Sequence, residues 1–136
     1  MGFGTIRQDD VNPAELGVNA ATILAAAPVT SSAFDATGFN TMTVECFLDW
    51  TAATEIQMYI QIRTLTTDSW KTVLNDEGVG GGFLDSYPAI RRKPIPGADT
   101  SWVWNVPVNY KFVRMVLTSV GGTTDTITAS VRLGVV

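Results

Sequence analysis

Four stretches of this chain alternate apolar and polar residues with a period of two, and that pattern restricts what the chain can fold into. Met42, Val44, Cys46, Leu48 and Trp50 interleave with Thr41, Thr43, Glu45, Phe47 and Asp49. Ile56, Met58, Ile60 and Ile62 interleave with Gln57, Tyr59, Gln61 and Arg63. Val113, Met115 and Leu117 stand between Phe112, Arg114, Val116 and Thr118, and Ile127, Ala129, Val131 and Leu133 between Thr126, Thr128, Ser130 and Arg132. A period of two sends alternate side chains to opposite faces of a strand. Each stretch therefore has one face to bury and one wetter face, as in antiparallel sheets packed face to face.

Shorter elements fall between these strands. The run Asn12-Pro13-Ala14-Glu15-Leu16 fits one capped helical turn with proline at its first position. Thr22 to Ala27 and Ser32 to Asp35 read as short strands, the first stopped by Pro28. The brief connection Thr51 to Thr54 suggests a hairpin between its long neighbours, and the Gly-containing Val120 to Asp125 a second one. Trp70 to Leu74 reads as a further strand, and Ser101 to Val108 as another, placed at an edge or bulge by Pro107. Phe83 to Ile90 is irregular, and Arg91 to Gly97 reads as a basic, proline-marked connector. About eight strands at this spacing give an all-β antiparallel β-sandwich, jelly-roll-like. The expected organisation is an extended N-terminal arm at 1–19 followed by a single β-sandwich domain at 20–136.

Composition narrows the function classes. At 136 residues one domain buries about 68% of its unfolded surface. Charged residues make up 16%, below the roughly 25% usual for soluble domains, which fits a surface partly hidden in an assembly as well as one rich in Thr and Ser. The net charge of −4 supplies no general basic field for nucleic acid or an anionic membrane. No stretch reaches the ~20 apolar residues of a membrane helix, and the sequence after Met1 does not read as a secretory signal. The single Cys46 falls on the apolar face of its strand, as a small buried hydrophobe that fits a reducing compartment.

Catalytic and metal chemistry finds little to work with. The chain contains no His, so histidine zinc sites and Ser-His-Asp or Cys-His nucleophiles cannot form. Asp9/Asp10 and Asp76/Glu77 are adjacent carboxylates in loop-like segments, where solvated charge is the simpler reading. Asp49, Asp76, Glu77 and Asp85 do not match a spaced calcium loop. Gly78 to Gly82 lacks the Lys-Ser/Thr ending of a phosphate loop. No catalytic residue, cofactor or metal is therefore expected. Binding residues are better represented. Arg91, Arg92 and Lys93 offer a basic grip for an acidic partner surface or a phosphate, although a solvated charge run beside Pro94 is the simpler reading. Phe47 and Tyr59 lie on the wet faces of neighbouring strands, where a hairpin would pair them as an exposed apolar patch. Trp102 and Trp104, two apart, share a strand face; exposed, and with Tyr87, they would form a sugar-stacking platform, but core is the expected place for at least one.

Several of these segments resemble small β-sandwich virion proteins of tailed bacteriophages, namely head decoration (cement) proteins and tail accessory modules. The resemblance lies in Asn40 to Glu45 followed by an Ala-Thr-rich turn, Ile56 to Arg63 and Ser69-Trp70-Lys71, and later in Tyr110 to Thr128. It covers about residues 40–75 and 102–134 and rests on strand patterns, while Phe83 to Gly97 has no counterpart. The resemblance implies a non-enzymatic structural virion protein, most simply a capsid decoration protein on the outer surface of a phage head. A phage tail, neck or fibre module, or a carbohydrate-binding β-sandwich module, is the alternative. It further implies a homo-oligomer (dimer or trimer) bound to the major capsid protein or another virion protein, with assembly in the host cytoplasm. An N-terminal arm carrying Phe3, Ile6 and Arg7 would then order on a neighbouring subunit.

Overall fold

The computed structural model of the protein describes residues 8–23, 27–73, 90–108, 110–122 and 124–135. Over these residues the chain is β1 (Gln8–Val11), α1 (Pro13–Leu16), β2 (Ala21–Thr22), β3 (Val29–Thr30), β4 (Phe34–Asp35), β5 (Thr41–Asp49), β6 (Glu55–Arg63), β7 (Lys71–Val73), β8 (Ile90–Arg92), β9 (Thr100–Pro107), β10 (Phe112–Val120) and β11 (Thr126–Gly134). The long strands lie where the alternation puts them, because each offers an unbroken apolar face. Pro107 ends β9 at a sheet edge, where a missing N–H costs least. The expected helical turn is present: the side chain of Asn12 accepts a hydrogen bond from the Glu15 N–H at 2.8 Å, and Gly17 closes the turn in the left-handed region at φ 71°.

The strands form two antiparallel sheets, an all-β sandwich. The first sheet runs β1-β11-β5-β9, with β2 also on β11; the second runs β3-β10-β6-β7, with β4 also on β10 and β8 also on β6. β1 and β2 lie end to end along β11, β3 and β4 along β10, and β7 and β8 along β6. Each such pair fills one strand position, leaving four positions per sheet. In chain order those positions alternate between sheets except at β6 to β7, which is jelly-roll connectivity.

Two expected hairpins are therefore corrected. Thr51 to Thr54 carries the chain from β5 in the first sheet to β6 in the second, and Val120 to Asp125 carries it back from β10 to β11. A short polar connection serves either purpose; here Asp125 decides. Its carboxylate binds the backbone of Thr51, Ala52 and Ala53, tying the two crossings together at one end of the sandwich. The basic connector is also corrected, since Arg91 and Arg92 belong to β8, opposite Gln57 and Ile56 of β6. Charge is well placed there, because β8 is an edge strand that must not recruit another chain.

Between the sheets lies one core. Met42, Val44 and Leu48 of β5 face Ile56, Met58 and Ile60 of β6, with Val113, Met115 and Leu117 of β10 and Ile127, Val131 and Leu133 of β11. The described part of the segment read as an arm is built into this body. Gln8 to Val11 pairs with Val131 to Gly134, and Leu16 and Val18 are fully buried. Polar sequence hid this, because an edge strand needs only backbone pairing on one side. Phe3, Ile6 and Arg7 lie outside the described residues, as do Tyr87 and Gly78 to Gly82.

Candidate functional site

The sandwich presents two outer faces of different chemistry. On the first sheet, Thr43, Glu45, Phe47 and Asp49 of β5 look outward beside Ser101, Val103 and Asn105 of β9 and Thr128, Ser130 and Arg132 of β11. Phe47 is 44% exposed and Val103 60% exposed; the register sets them diagonally, with Glu45 opposite Val103 and Phe47 opposite Ser101. Together with Pro13 they line a shallow, largely apolar depression. Around it, Thr43 Oγ1 donates to Asn105 Oδ1 at 2.9 Å, and Arg132 pairs with Asp10 at 2.9 Å.

The second sheet's outer face is aromatic and basic. Tyr59 of β6 stands directly opposite Val116 of β10, both half-buried. Arg114 lies opposite Gln61 and donates from Nε to its Oε1 at 2.7 Å. Trp70, just before β7, brings its indole under both neighbouring arginines: the Arg63 guanidinium lies 4.3 Å and that of Arg114 4.4 Å from the ring centroid. Burial lowers the Arg114 pKa, and the nearby Arg63 charge lowers it further. The Nε of Arg63 is buried and makes no hydrogen bond.

The residues expected to bind a partner thus fall into three groups. Tyr59, Arg91 and Arg92 share the second sheet, and exposed Lys93 follows directly. Phe47 belongs to the first sheet, so the expected Phe47–Tyr59 patch does not form; the two chains of residues are separated by the core. Phe3, Ile6 and Arg7 are not among the described residues. Sequence reasoning missed Arg63, Trp70 and Arg114. The alternation already put both arginines on wet faces, but only the pairing of β6 with β10 brings them to one indole.

Other candidates resolve into structural roles. Trp102 is 5% exposed and Trp104 packs against the core, their rings stacked 6.2 Å apart at 13°. They fill the sandwich instead of forming a sugar platform. Cys46 is buried, which pushes its thiol pKa up to about 12. Among the described residues no three His, Cys, Asp or Glu side chains gather as a metal site would require. Asp125, fully buried, is spent on the two crossings.

No family model matches the chain, and no curated protein matches it. Among solved structures it is similar to a chain in the structure of infectious bursal disease virus Gx strain, with 9% sequence identity and a TM-score of 0.54. That similarity covers 97% of this chain and 32% of the other, so the chain spans about a third of its structural neighbour. At this identity the likeness is one of fold: a β-sandwich also found in a virus structure.

Proposed function

We propose that this protein is a non-enzymatic structural component of a virion, and specifically a decoration protein that binds the outer surface of a tailed-phage head and stabilises it. The observation that carries this reading is the jelly-roll sandwich, shared in fold with a chain of a virus structure and bearing an aromatic, basic outer face. The strand resemblance to phage decoration proteins supplies the finer assignment. In this role the protein acts as a dimer or trimer, assembled in the host cytoplasm and bound to the major capsid protein, with residues ahead of Gln8 as an additional tether. A tail, neck or fibre module is the second reading, favoured by the same strand resemblance.

The test is made on virions from the source of the sequence. Mass spectrometry of purified particles should find the chain in a fixed ratio to the coat protein and in the head fraction after heads and tails are separated. Purified protein added to particles lacking it should bind saturably and raise the temperature at which they release DNA. Recovery in the tail fraction selects the second reading. Absence from purified particles overturns both.

A further inference from the structure

We propose that the outer face of the second sheet, centred on Arg63, Trp70 and Arg114, is a docking surface for the carboxylate groups of an acidic protein partner. The inference deepens the proposed function by naming the partner's chemistry, and rests on it only for where that partner is found.

The argument begins with hydrogen bonding. A guanidinium carries five N–H donors and no acceptor, so a half-buried arginine needs oxygens in its plane. Arg114 spends its Nε on Gln61, while the buried Nε of Arg63 has no partner. Among the described residues the one ion pair is Arg132–Asp10, on the other sheet; neither Arg63 nor Arg114 meets a carboxylate there. Two like charges held over one indole repel each other, and both lose hydration to the ring. The ring nevertheless holds both guanidiniums 4.3 and 4.4 Å from one centroid, which pre-positions them for carboxylate contacts.

Residue type and charge distribution point the same way. Arg, Trp and Tyr are the side chains that dominate binding energy at interfaces, and here Arg63, Arg114, Trp70 and Tyr59 occupy one face. The strands of the first sheet carry Asp9, Asp10, Glu45 and Asp49 against Arg132. Those of the second carry Arg63, Lys71, Arg91, Arg92 and Arg114 against Asp35 and Glu55; Arg63, Arg91 and Arg114 hold outward register positions, Arg91 opposite Gln57, whereas Lys71 and Arg92 lie opposite Ile62 and Ile56 of the inward row. A protein of net charge −4 thus concentrates its cations on one sheet. Complementarity selects an acidic partner and steers it to that side. Nucleic acid is a poorer fit, because its binding rests on neutralising many successive phosphates, whereas two stacked guanidiniums suit discrete carboxylates. A second copy could offer Glu45 and Asp49, but stacking opposite faces of one molecule does not close and would build open arrays.

The experiment uses the full chain, with poly-L-glutamate as probe and inorganic phosphate and duplex DNA as comparators, read by tryptophan fluorescence. Poly-L-glutamate should bind saturably at low salt and weaken steeply as salt rises. Arg63→Gln and Arg114→Gln should each weaken binding by about tenfold, Arg114→Lys should recover part of the loss, and Phe47→Ser on the opposite face should change nothing. Thermal unfolding of each variant establishes that it is folded, and Arg114→Lys keeps the test open if a glutamine variant is not. Undiminished binding by the arginine variants overturns the proposal. So does tighter binding of DNA or phosphate, or self-association by light scattering that Arg114→Gln abolishes, since each names another occupant. If virions contain the protein but poly-L-glutamate does not bind, the proposed function stands and this inference falls; binding with no place in virions reverses that.

Discussion

Asp125 shows how one side chain sets the architecture of an end. Its carboxylate is fully buried and accepts from the Thr51 N–H at 2.8 Å and the Thr51 hydroxyl at 2.7 Å, and from the N–H groups of Ala52 and Ala53 at 3.2 Å. Burial alone would raise its pKa, but the bonds from Thr51, Ala53 and Ala52 outweigh it and hold the carboxyl below its ordinary 3.8. A folded-state pKa below the unfolded one contributes stability that is present above the unfolded value and is lost as pH falls through the folded value. Asp125→Asn should therefore cost about 2–4 kcal/mol at neutral pH in urea melts and flatten the acid limb of stability below about pH 4. Gly122 supports this site by close approach, since a Cβ there would lie 2.7 Å from Oδ1. Cys46 belongs at the same scale. With its thiol pKa pushed up to about 12 and its side chain 3% exposed, it should not react with a disulfide reagent in native buffer and should react once unfolded. Reaction at the native rate of an open thiol would contradict its placement.

At the scale of elements, inward and outward positions along one strand should respond oppositely. Ile60→Asp places a charge at a position 2% exposed between the sheets and should cost about 4 kcal/mol or more. Gln61→Asp, one residue along and beside Arg114, should stay within about 1 kcal/mol. Chemical denaturation of the pair checks this, and equal losses would mean that β6 is covered on both sides. The N-terminal segment gives a second contrast. Leu16, the last residue of α1, is fully buried, so Leu16→Ala should cost about 2–5 kcal/mol, against almost nothing for a detached arm. The long strands were legible because each repeats one face many times. Of the short ones, β4 and β7 fall inside the strands expected at Ser32 to Asp35 and Trp70 to Leu74, but β3 and β8 were not legible, since two or three residues such as Val29–Thr30 carry no period and are held by pairing to β10.

Across the whole molecule, each sheet joins segments distant in sequence: β1 pairs with β11 in the first, and β3 pairs with β10 in the second. Loop closure must precede the reward from such contacts, so refolding followed by tryptophan fluorescence should run in the millisecond-to-second range of non-local β folds. A microsecond phase carrying the full amplitude would contradict the topology. The same wrapping separates charge. Acidic strands collect on one sheet and basic strands on the other, although the two are interleaved along the chain. The candidate site is a product of that separation, assembled from β6, β10 and the residue before β7.

The sequence alone determined the class of the fold, the four long strands and the side of each that is buried, because burial imposes a period of two directly on residue type. It also determined the capped turn after Asn12, a local matter of side-chain oxygen and backbone N–H. Only the tertiary structure decided that the short connections cross between sheets, that Phe47 and Tyr59 lie on opposite sides of the core, and that Arg63 and Arg114 share Trp70. The physical reason is that alternation says which face of a strand is wet but not which strand lies beside it. Pairing is settled by hydrogen bonds and packing among segments far apart in the chain, and by single contacts such as those of Asp125 that no local pattern announces.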